Sequence, residues 1–207
     1  MLDGTMRRMI DPLLDQSGRW LARQGFSADI LTLFGFGMGI ACAFSICVGW
    51  VVLSLVLLAL SRIADGLDGA VARASRVTDR GGFLDITCDF IFYGLVPLAF
   101  AFRDPQLFAL PSVVLLAAFY ANGASFLAYS VVAAKRGMET TVRGEKSLYF
   151  TTGVMEGTET IVFFVLFILF PPWFSVLAYL CAALCMITCF ARIMLAWHIF
   201  KVDERIK

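Results

Sequence analysis

The sequence D-G-L-D-G-A-V-A-R over residues 65–73 places two carboxylates three positions apart, and a second pair follows at Asp85 and Asp89. The chain on either side of these residues is strongly apolar. A charged side chain at the centre of a membrane helix costs about 2.5 to 3.5 kcal/mol even on the most lenient insertion scale. Four carboxylates so close together in such a chain are therefore predicted to hold cations, and this stretch is the candidate functional site.

Composition assigns the chain to the integral membrane proteins. Of the 207 residues, 60% are hydrophobic and only 16% are charged, and the mean hydropathy is +0.83. These values are typical of a chain whose solvent is lipid, and they exclude an ordinary soluble enzyme. Because a membrane-spanning helix needs about 20 apolar residues, the length leaves room for about six spans and no separate soluble domain.

Six apolar stretches are separated by charged or turn-forming segments. They run approximately over residues 30–48, 51–73, 82–102, 108–134, 147–170 and 173–200. The predicted fold class is an all-α membrane protein, with a bundle of six transmembrane helices over residues 28–207. An amphipathic helix over residues 1–27 is predicted to precede the bundle and to lie in the membrane interface. We expect residues 1–207 to form one domain.

The basic residues predict the orientation. An even number of spans puts both termini on one side of the membrane, together with the loops at residues 73–80 and 135–146. Of the 17 lysine and arginine residues, all except Arg103 lie on or near that side. Cytoplasmic loops of membrane proteins carry the excess of basic residues. We therefore expect both termini and the acidic site to face the cytoplasm, in an inner (cytoplasmic) membrane.

The spacing of the four carboxylates predicts a metal site. Asp65 and Asp68 are three residues apart near the cytoplasmic end of the second span, so they share a helix face. Asp85 and Asp89 are four apart near the start of the third span and do likewise, and the loop between the spans folds one pair against the other. Hard oxygen ligands suit Mg²⁺ or Mn²⁺, with Ca²⁺ as a non-productive occupant, and they disfavour zinc.

The whole pattern, D-x2-D-G-x2-A-R-x7-8-G-x3-D-x3-D, resembles the signature of the CDP-alcohol phosphotransferase (CDP-alcohol phosphatidyltransferase) family, and every fixed position is filled. The predicted six-span topology, with the motif at the cytoplasmic ends of the second and third helices, is similar to that family's as well. The resemblance implies an enzyme of phospholipid synthesis that transfers a substituted phosphate from a CDP-linked donor to an alcohol and releases CMP. It also implies a homodimer.

The resemblance assigns roles to the four carboxylates. Asp65, Asp68 and Asp85 would hold two divalent cations against the diphosphate of the donor. Asp89 would contribute to a metal and act as the general base. These roles are chemically consistent, because metal ions neutralise charge that develops on the phosphate oxygens and a carboxylate can remove the proton of an attacking hydroxyl.

The resemblance also implies a nucleotide- and phosphate-binding set within the motif. Gly69 and Ala72 would be small because the nucleotide packs against the helix there, and Arg73 would contact phosphate. Gly81 would let the returning chain come close, since glycine has no side chain. Thr78 stands where many family members have a hydroxyl residue near the nucleotide.

Residues outside the motif are candidates for binding the acceptor. Four basic residues flank the loop between the fourth and fifth spans, where they would bind an anionic acceptor or simply attract anionic lipid. These are Lys135, Arg136, Arg143 and Lys146. Glu156 and Glu159, in the fifth span, would suit a cationic head group, because a similar stretch occurs in some family members that use amino alcohols. Alternatively they pair with Arg62, Arg73 or Lys146. Arg62 is itself predicted to pair with a motif carboxylate.

The function predicted by the resemblance is transfer of a phosphatidyl group from CDP-diacylglycerol to a small polar alcohol. Two variants of this reaction stay open: transfer from a soluble CDP-alcohol to diacylglycerol, and cardiolipin synthesis from phosphatidylglycerol. Membrane lipids are expected partners and nucleic acid is not. A cation or proton transporter is the alternative outside the enzymes, because carboxylates within a membrane also mark ion pathways.

Overall fold

The computed structural model describes residues 3–138 and 153–202, with side chains from Ile10 to Lys201. Within these residues the chain forms seven α-helices and one 3₁₀ turn, and no strand. The helices are α1 (Asp3–Arg23), α2 (Ala28–Val48), α3 (Val51–Ala74), α4 (Asp79–Arg103), α5 (Pro105–Lys135), α6 (Gly157–Leu169) and α7 (Phe174–Val202). The 3₁₀ turn, Pro171–Trp173, joins α6 to α7. The all-α fold class is therefore confirmed.

The helices end where the sequence predicts breaks. Gly49 ends α2 with a φ of 87°, a left-handed conformation that glycine adopts without strain, and its N–H donates to the carbonyls of Ser45 and Ile46. Between α4 and α5, the Asp104 side chain accepts a hydrogen bond from the Leu107 N–H at 3.1 Å. Pro105 is at the start of α5, where its missing N–H is not needed.

Small residues let α2 and α3 approach closely. A Cβ on Gly35 would lie 3.1 Å from the Cβ of Ala64 and 3.2 Å from the Ser61 carbonyl oxygen. Nearer the Gly49 turn, the hydroxyl groups of Ser45 and Ser54 are 2.7 Å apart and both side chains are buried. Packing of small residues and hydrogen bonds between helices are the interactions that join helices in lipid. They fix α2 beside the helix that carries the first half of the motif.

An aromatic core connects α4, α6 and α7. The rings of Phe100 and Phe174 stack with their centroids 4.1 Å apart and their planes 8° from parallel. Phe167 meets both rings edge-on, at 6.1 Å from Phe100 and 5.1 Å from Phe174. All three side chains are fully buried. The aromatic core therefore lies near the C-terminal end of α4, whereas the two motif carboxylates of this helix lie near its start.

Four stretches of the described chain are long and apolar enough to cross a membrane. They are Ala28–Val48, Asp79–Arg103, Pro105–Lys135 and Pro171–Lys201. Helix α3 has 24 residues, enough to span a bilayer, but it carries the charged residues of the motif. Helix α6 has 13 residues and is shorter than a span. The expected total of six spans stays a prediction.

Helix α1 packs along α3. A Cβ on Gly18 would lie 2.5 Å from the Cβ of Ala70, and a Cβ on Gly66 would lie 2.8 Å from Leu14 Cδ1. On α1, Leu13 is 69% exposed and Trp20 is 60% exposed. An N-terminal helix is thus present, and its exposed apolar side chains suit a membrane interface. Its place in that interface stays a prediction.

The close approach of α2 and α3 can be tested at two glycines of the same helix. Gly35→Val is expected to lower the free energy of unfolding by about 1–3 kcal/mol, because the added carbons meet the backbone and Cβ atoms of α3. Gly37→Val is the matched control, since a Cβ at Gly37 meets nothing within 4 Å. Thermal unfolding in lipid nanodiscs measures both. Equal melting temperatures for the two variants would contradict the packing described.

Candidate metal centre

Three carboxylates from two helices converge in the structure. Asp65 and Asp68 on α3 and Asp85 on α4 each offer one oxygen, and these three oxygens lie within 4.8 Å of one another. The connection between the two helices is short, because only residues 75–78 separate the end of α3 from the start of α4. This short connection brings the carboxylates of the two helices together. The predicted folding of one acidic pair against the other is therefore confirmed for these three residues. Three carboxylate oxygens at this separation fit a hard divalent cation.

Thr32 on α2 supports the same cluster. Its hydroxyl Oγ1 donates to Asp68 Oδ2 at 2.5 Å, and both side chains are buried. A hydrogen bond of this kind fixes the rotamer of a carboxylate and leaves its second oxygen to face another partner. Helix α2 therefore takes part in the site through a residue that lies outside the motif.

Arg62 pairs with two of the motif carboxylates, as the sequence predicts for one. Its Nη1 lies 2.8 Å from Asp89 Oδ1 and 3.4 Å from Asp65 Oδ2, and its side chain is only 18% exposed. The guanidinium also lies over the ring of Phe92, 4.8 Å from the centroid. A buried positive charge here offsets the repulsion among carboxylates that share one small space.

Asp89, the fourth motif carboxylate, pairs with Arg62 beside the three converging carboxylates. Its Oδ1 accepts a hydrogen bond from Arg62. The guanidinium of Arg62 lies over the ring of Phe92, which is one helical turn after Asp89 on α4. Phe92 is itself fixed, because its ring packs directly on the backbone of α2: a Cβ on Gly39 would lie 2.6 Å from the ring. The predicted contribution of Asp89 to a metal and its role as a base stay predictions.

Arg73 contacts α1. Its Nη2 and Nε lie 2.6 Å and 3.2 Å from the same oxygen of Asp15. This ion pair uses the guanidinium that the family resemblance assigns to a donor phosphate. Phosphate binding by Arg73 stays a prediction, and it would require the donor to share or replace the Asp15 contact.

The remaining motif residues lie at the junction of α3 and α4. Thr78 caps α4, because its Oγ1 accepts a hydrogen bond from the Gly81 N–H at 3.1 Å. A Cβ on Gly81 would lie 3.2 Å from Asp29 Oδ1, so the chain does come close to α2 there. Gly69 and Ala72 lie on α3 and are partly exposed. Nucleotide binding by these four residues stays a prediction.

The acceptor candidates fall in two groups. Glu156 and Glu159 form a capping box at the start of α6, in which the Glu156 N–H donates to Glu159 Oε2 at 3.3 Å. Lys135 and Arg136 lie at the end of α5, where Arg136 Nη2 donates to the Phe200 carbonyl at 2.9 Å. The other two predicted residues lie outside the described residues; they are Arg143 and Lys146.

Sequence reasoning missed two polar contributions. Thr32 gives no signal in an apolar helix, since threonines are common there as simple packing residues. Arg192 on α7 does give one, because an ionisable residue within a membrane segment is a functional candidate in its own right. Its Nη1 lies 2.9 Å from Asn122 Oδ1 and 2.7 Å from Ser125 Oγ, so it ties α7 to α5.

Comparison with known proteins decides the family. The model of the family CDP-alcohol phosphatidyltransferase matches residues 26–201. The chain belongs to the CDP-alcohol phosphatidyltransferase family. It is therefore a transferase of substituted phosphate groups and an enzyme of phospholipid biosynthesis, as the motif predicted.

This CDP-alcohol phosphatidyltransferase resembles curated proteins of bacteria and archaea. It is 44% identical over 205 residues to "Inner membrane protein YnjF" of Escherichia coli K12, which covers 99% of this chain and 100% of that one. It is 40% identical over 92 residues to archaetidylinositol phosphate synthase of Methanothermobacter thermautotrophicus, which covers 44% of each chain.

Solved structures share the fold of this phosphatidyltransferase. The phosphatidylinositol phosphate synthase PgsA1 of Mycobacterium tuberculosis with CDP-DAG bound gives a TM-score of 0.69 at 24% identity, covering 90% of this chain and 94% of that one. The same enzyme in complex with manganese and citrate gives 0.66 at 24% identity, covering 89% and 88%.

The hydrogen bond from Thr32 to Asp68 provides a test of the site. Thr32→Val keeps the shape of the side chain but removes the donor, and it is expected to weaken Mn²⁺ binding about tenfold or more because Asp68 loses its orientation. Thr87→Val is the matched control on α4, since the Thr87 hydroxyl donates to the Phe83 carbonyl of its own helix. Electron paramagnetic resonance of free Mn²⁺ reports the affinity. Equal Mn²⁺ affinity in the two variants would count against the site as described.

Proposed function

We propose that this enzyme transfers a phosphatidyl group from CDP-diacylglycerol to the hydroxyl of a small polar alcohol and releases CMP. The observation that carries the proposal is the convergence of Asp65, Asp68 and Asp85 within 4.8 Å. A transfer that releases CMP must stabilise negative charge on a diphosphate, and divalent cations held by carboxylates do so. Three hard oxygens from two helices supply the ligands that such cations require.

The residues present fit a divalent metal. Carboxylate oxygens suit Mg²⁺ and Mn²⁺, and Thr32 gives Asp68 the hydrogen bond that a metal-binding carboxylate commonly has. Asp65, Asp68 and Asp85 would hold two divalent cations, which would supply charge neutralisation at the diphosphate and orient the bond that breaks. The manganese complex of the mycobacterial enzyme supports this proposal by analogy.

Asp89 is the proposed general base. It lies one helical turn after Asp85 on α4, so it is close to the metal-binding group. Its Oδ1 is held by Arg62, which leaves the proton-accepting role to Oδ2. A carboxylate within hydrogen-bond reach of the acceptor hydroxyl removes the proton as the oxygen attacks the phosphorus atom and CMP departs.

The donor proposed is CDP-diacylglycerol. The fold neighbour from Mycobacterium tuberculosis was solved with CDP-DAG bound, and its fold is shared over 90% of this chain. The acidic site lies between two helices of a bundle, so the acyl chains of a lipid donor could enter sideways while the nucleotide stays at the polar end. Arg73 is the proposed phosphate contact, in exchange for Asp15, and Gly69 and Ala72 the proposed surface for the nucleotide.

For the acceptor, a phosphorylated inositol is the first compound to test. Two relatives of this chain are named for inositol phosphate lipids, one in an archaeon and one in a bacterium. Basic side chains at the end of α5, Lys135 and Arg136, would suit an anionic acceptor. Glu156 and Glu159 already cap α6, so a cationic alcohol has less support from them.

The membrane arrangement completes the proposal. We propose six spans, counting α3 and a fifth span that includes α6, with the N-terminal helix in the interface. Both termini and the site would face the cytoplasm, as the distribution of basic residues predicts. The relative from Escherichia coli is named as an inner membrane protein, which supports the same membrane for this enzyme. A homodimer is expected from the family.

An acceptor screen tests the reaction. Purified enzyme in lipid nanodiscs is given CDP-diacylglycerol and Mg²⁺ or Mn²⁺, and separate samples receive inositol phosphate, glycerol phosphate, serine, ethanolamine or choline. We expect CMP release and one new phospholipid with a single acceptor, and no CMP after a chelator is added. CMP release only when a soluble CDP-alcohol and diacylglycerol are supplied would contradict the proposed donor.

Asp89→Asn tests the general base. The amide keeps the shape but cannot accept the proton, so the rate of CMP release is expected to fall about 10²- to 10⁴-fold. Asp79→Asn, in the first turn of the same helix, is the control and should keep the wild-type rate, because Asp79 is exposed and outside the cluster. A wild-type rate in Asp89→Asn would remove this residue from the mechanism.

A further inference from the structure

Thr188 on α7 fixes the turn that leads into α6. Its Oγ1 accepts hydrogen bonds from the N–H groups of Val154 at 3.0 Å and Met155 at 2.9 Å. The same hydroxyl donates to the Leu184 carbonyl of its own helix at 3.0 Å. A hydroxyl offers one donor and two acceptor positions, so this side chain uses all of them. It thereby holds residues 154 and 155 against α7.

The methyl group of Thr188 contacts the same turn. A Cβ on Gly153 would lie 2.6 Å from Thr188 Cγ2, so the chain comes this close because residue 153 is a glycine. Thr188 and Met155 are both buried. The two groups of the threonine therefore act together: the hydroxyl holds the turn on α7, and the methyl group limits how closely the turn approaches.

Aromatic contacts show that α6 runs beside α4 in the same direction. Phe92 on α4 meets Phe164 on α6, with ring centroids 5.9 Å apart. Further along both helices, Phe100 meets Phe167 at 6.1 Å. Residue numbers therefore rise in the same direction on the two helices. The starts of both helices lie on the same side of the contact between Phe92 and Phe164.

The first turn of α6 consequently lies on the carboxylate side of this contact. Asp89 and Asp85 are about one and two turns before Phe92 on α4. Residues 157–160 are about one to two turns before Phe164 on α6. Helix α6 also packs against α3, which carries the other two carboxylates of the motif. The turn that Thr188 fixes therefore leads into a helix start that borders the acidic site.

We infer that Thr188 is a positioning residue for the acceptor. It keeps the first turn of α6 beside the carboxylates, where the alcohol has to bind if its hydroxyl is to reach Asp89. The inference rests on the proposed function. The hydrogen bonds of Thr188 to described residues go to the turn and to α7, and not to α3 or α4, which carry the metal-binding carboxylates. Its effect is therefore expected on the acceptor, and not on the metal or the donor.

Removal of the hydroxyl tests this role. Thr188→Val keeps the methyl group but takes the acceptor from the N–H groups of Val154 and Met155, so the first turn of α6 loses its fixed position. KM for the acceptor should rise about tenfold or more, because small displacements of a positioning element are costly. KM for CDP-diacylglycerol should stay within about threefold, and Mn²⁺ affinity should not change. Thr188→Ser keeps the hydroxyl and should hold KM for the acceptor within about threefold of the wild type.

Gly153→Ala tests the same role with Thr188 intact. The new Cβ would meet Thr188 Cγ2, so the turn has to move away from α7 and KM for the acceptor should rise as in Thr188→Val. The double variant Thr188→Ser/Gly153→Ala removes the carbon that the new Cβ meets. It should recover most of the loss, since the two residues are in direct contact. This pair also decides the question if Thr188→Val does not yield folded protein.

A purely stabilising role predicts a different result. In that case Thr188→Val would lower the melting temperature and the amount of active enzyme, and KM for the acceptor would stay at the wild-type value. Ser175→Ala is the matched control on α7, because the Ser175 hydroxyl also joins two helices: it donates to the Leu107 carbonyl at 3.2 Å, near the other end of α7. Ser175→Ala should keep the wild-type kinetics.

The experiment measures CMP release in nanodiscs while the acceptor and CDP-diacylglycerol are varied in turn, beside a Mn²⁺ titration by electron paramagnetic resonance. The acceptors used are the five compounds of the screen described above, and KM is determined with each one that supports turnover of the wild type. An unchanged KM for the acceptor in Thr188→Val and Gly153→Ala overturns the inference. An equal rise in KM for the donor, or no recovery in the double variant, overturns it as well.

Failure of the proposed function would be recognised separately. A wild-type enzyme that releases no CMP with any donor and acceptor would refute the reaction, and the role of Thr188 toward an acceptor would fall with it. Hydrogen exchange still decides whether Thr188 fixes the turn, because it needs no turnover. The amides of Val154 and Met155 should exchange at least about tenfold faster in Thr188→Val than in Thr188→Ser. Equal exchange in the two variants would overturn that part too.

Discussion

The site depends on the balance between the negative charges of the motif carboxylates and the positive charge of Arg62, next to an apolar core. Asp65, Asp68 and Asp85 lie close together, and two of them have a compensating partner: Asp65 lies beside the Arg62 guanidinium, and Asp68 accepts a hydrogen bond from the Thr32 hydroxyl. In lipid such a cluster would be expelled or neutralised without partners. The negative charge of the cluster raises the free energy of the folded protein, and the same charge attracts divalent cations. The cost of the cluster to stability and its proposed function therefore have one cause.

Packing between the helices holds the side chains of the site in position. Small residues bring α2 against α3, which puts Thr32 within hydrogen-bond distance of Asp68. The aromatic core fixes α4 against α6 and α7, and Phe92 transmits that packing to Arg62. Helix α1 closes a third side of α3 and pairs Asp15 with Arg73. If Arg73 binds a donor phosphate as proposed, the donor has to share or replace the Asp15 contact.

The sequence allowed much of this architecture to be predicted, for identifiable reasons. Helix breaks at Gly49 and Pro105 depend on local backbone chemistry, and the structure places them as predicted. The pairing of Arg62 with a carboxylate follows from its spacing to Asp65 along one helix. The convergence of Asp85 with α3 follows from the short connection between the helices.

Contacts between residues far apart in the sequence could not be predicted. Thr32 and Asp68 are separated by 36 positions, and Asp15 and Arg73 by 58, so no helical spacing reveals either pair. Both pairs depend on how closely α1 and α2 approach α3. That distance is set by small residues at the contacts between the helices, which the sequence alone does not identify. The role of Thr78 as a helix cap could be predicted from its place directly before Asp79, because threonine is a common N-cap residue.

The position of bound Mn²⁺ in the presence of the donor shows directly whether the three carboxylates form the metal centre. The measurement is the anomalous difference density of Mn²⁺ in crystals of the enzyme grown with CDP-diacylglycerol. We expect density between Asp65, Asp68 and Asp85, in contact with the donor's diphosphate. Density elsewhere, or a diphosphate bound away from these three side chains, would contradict this expectation.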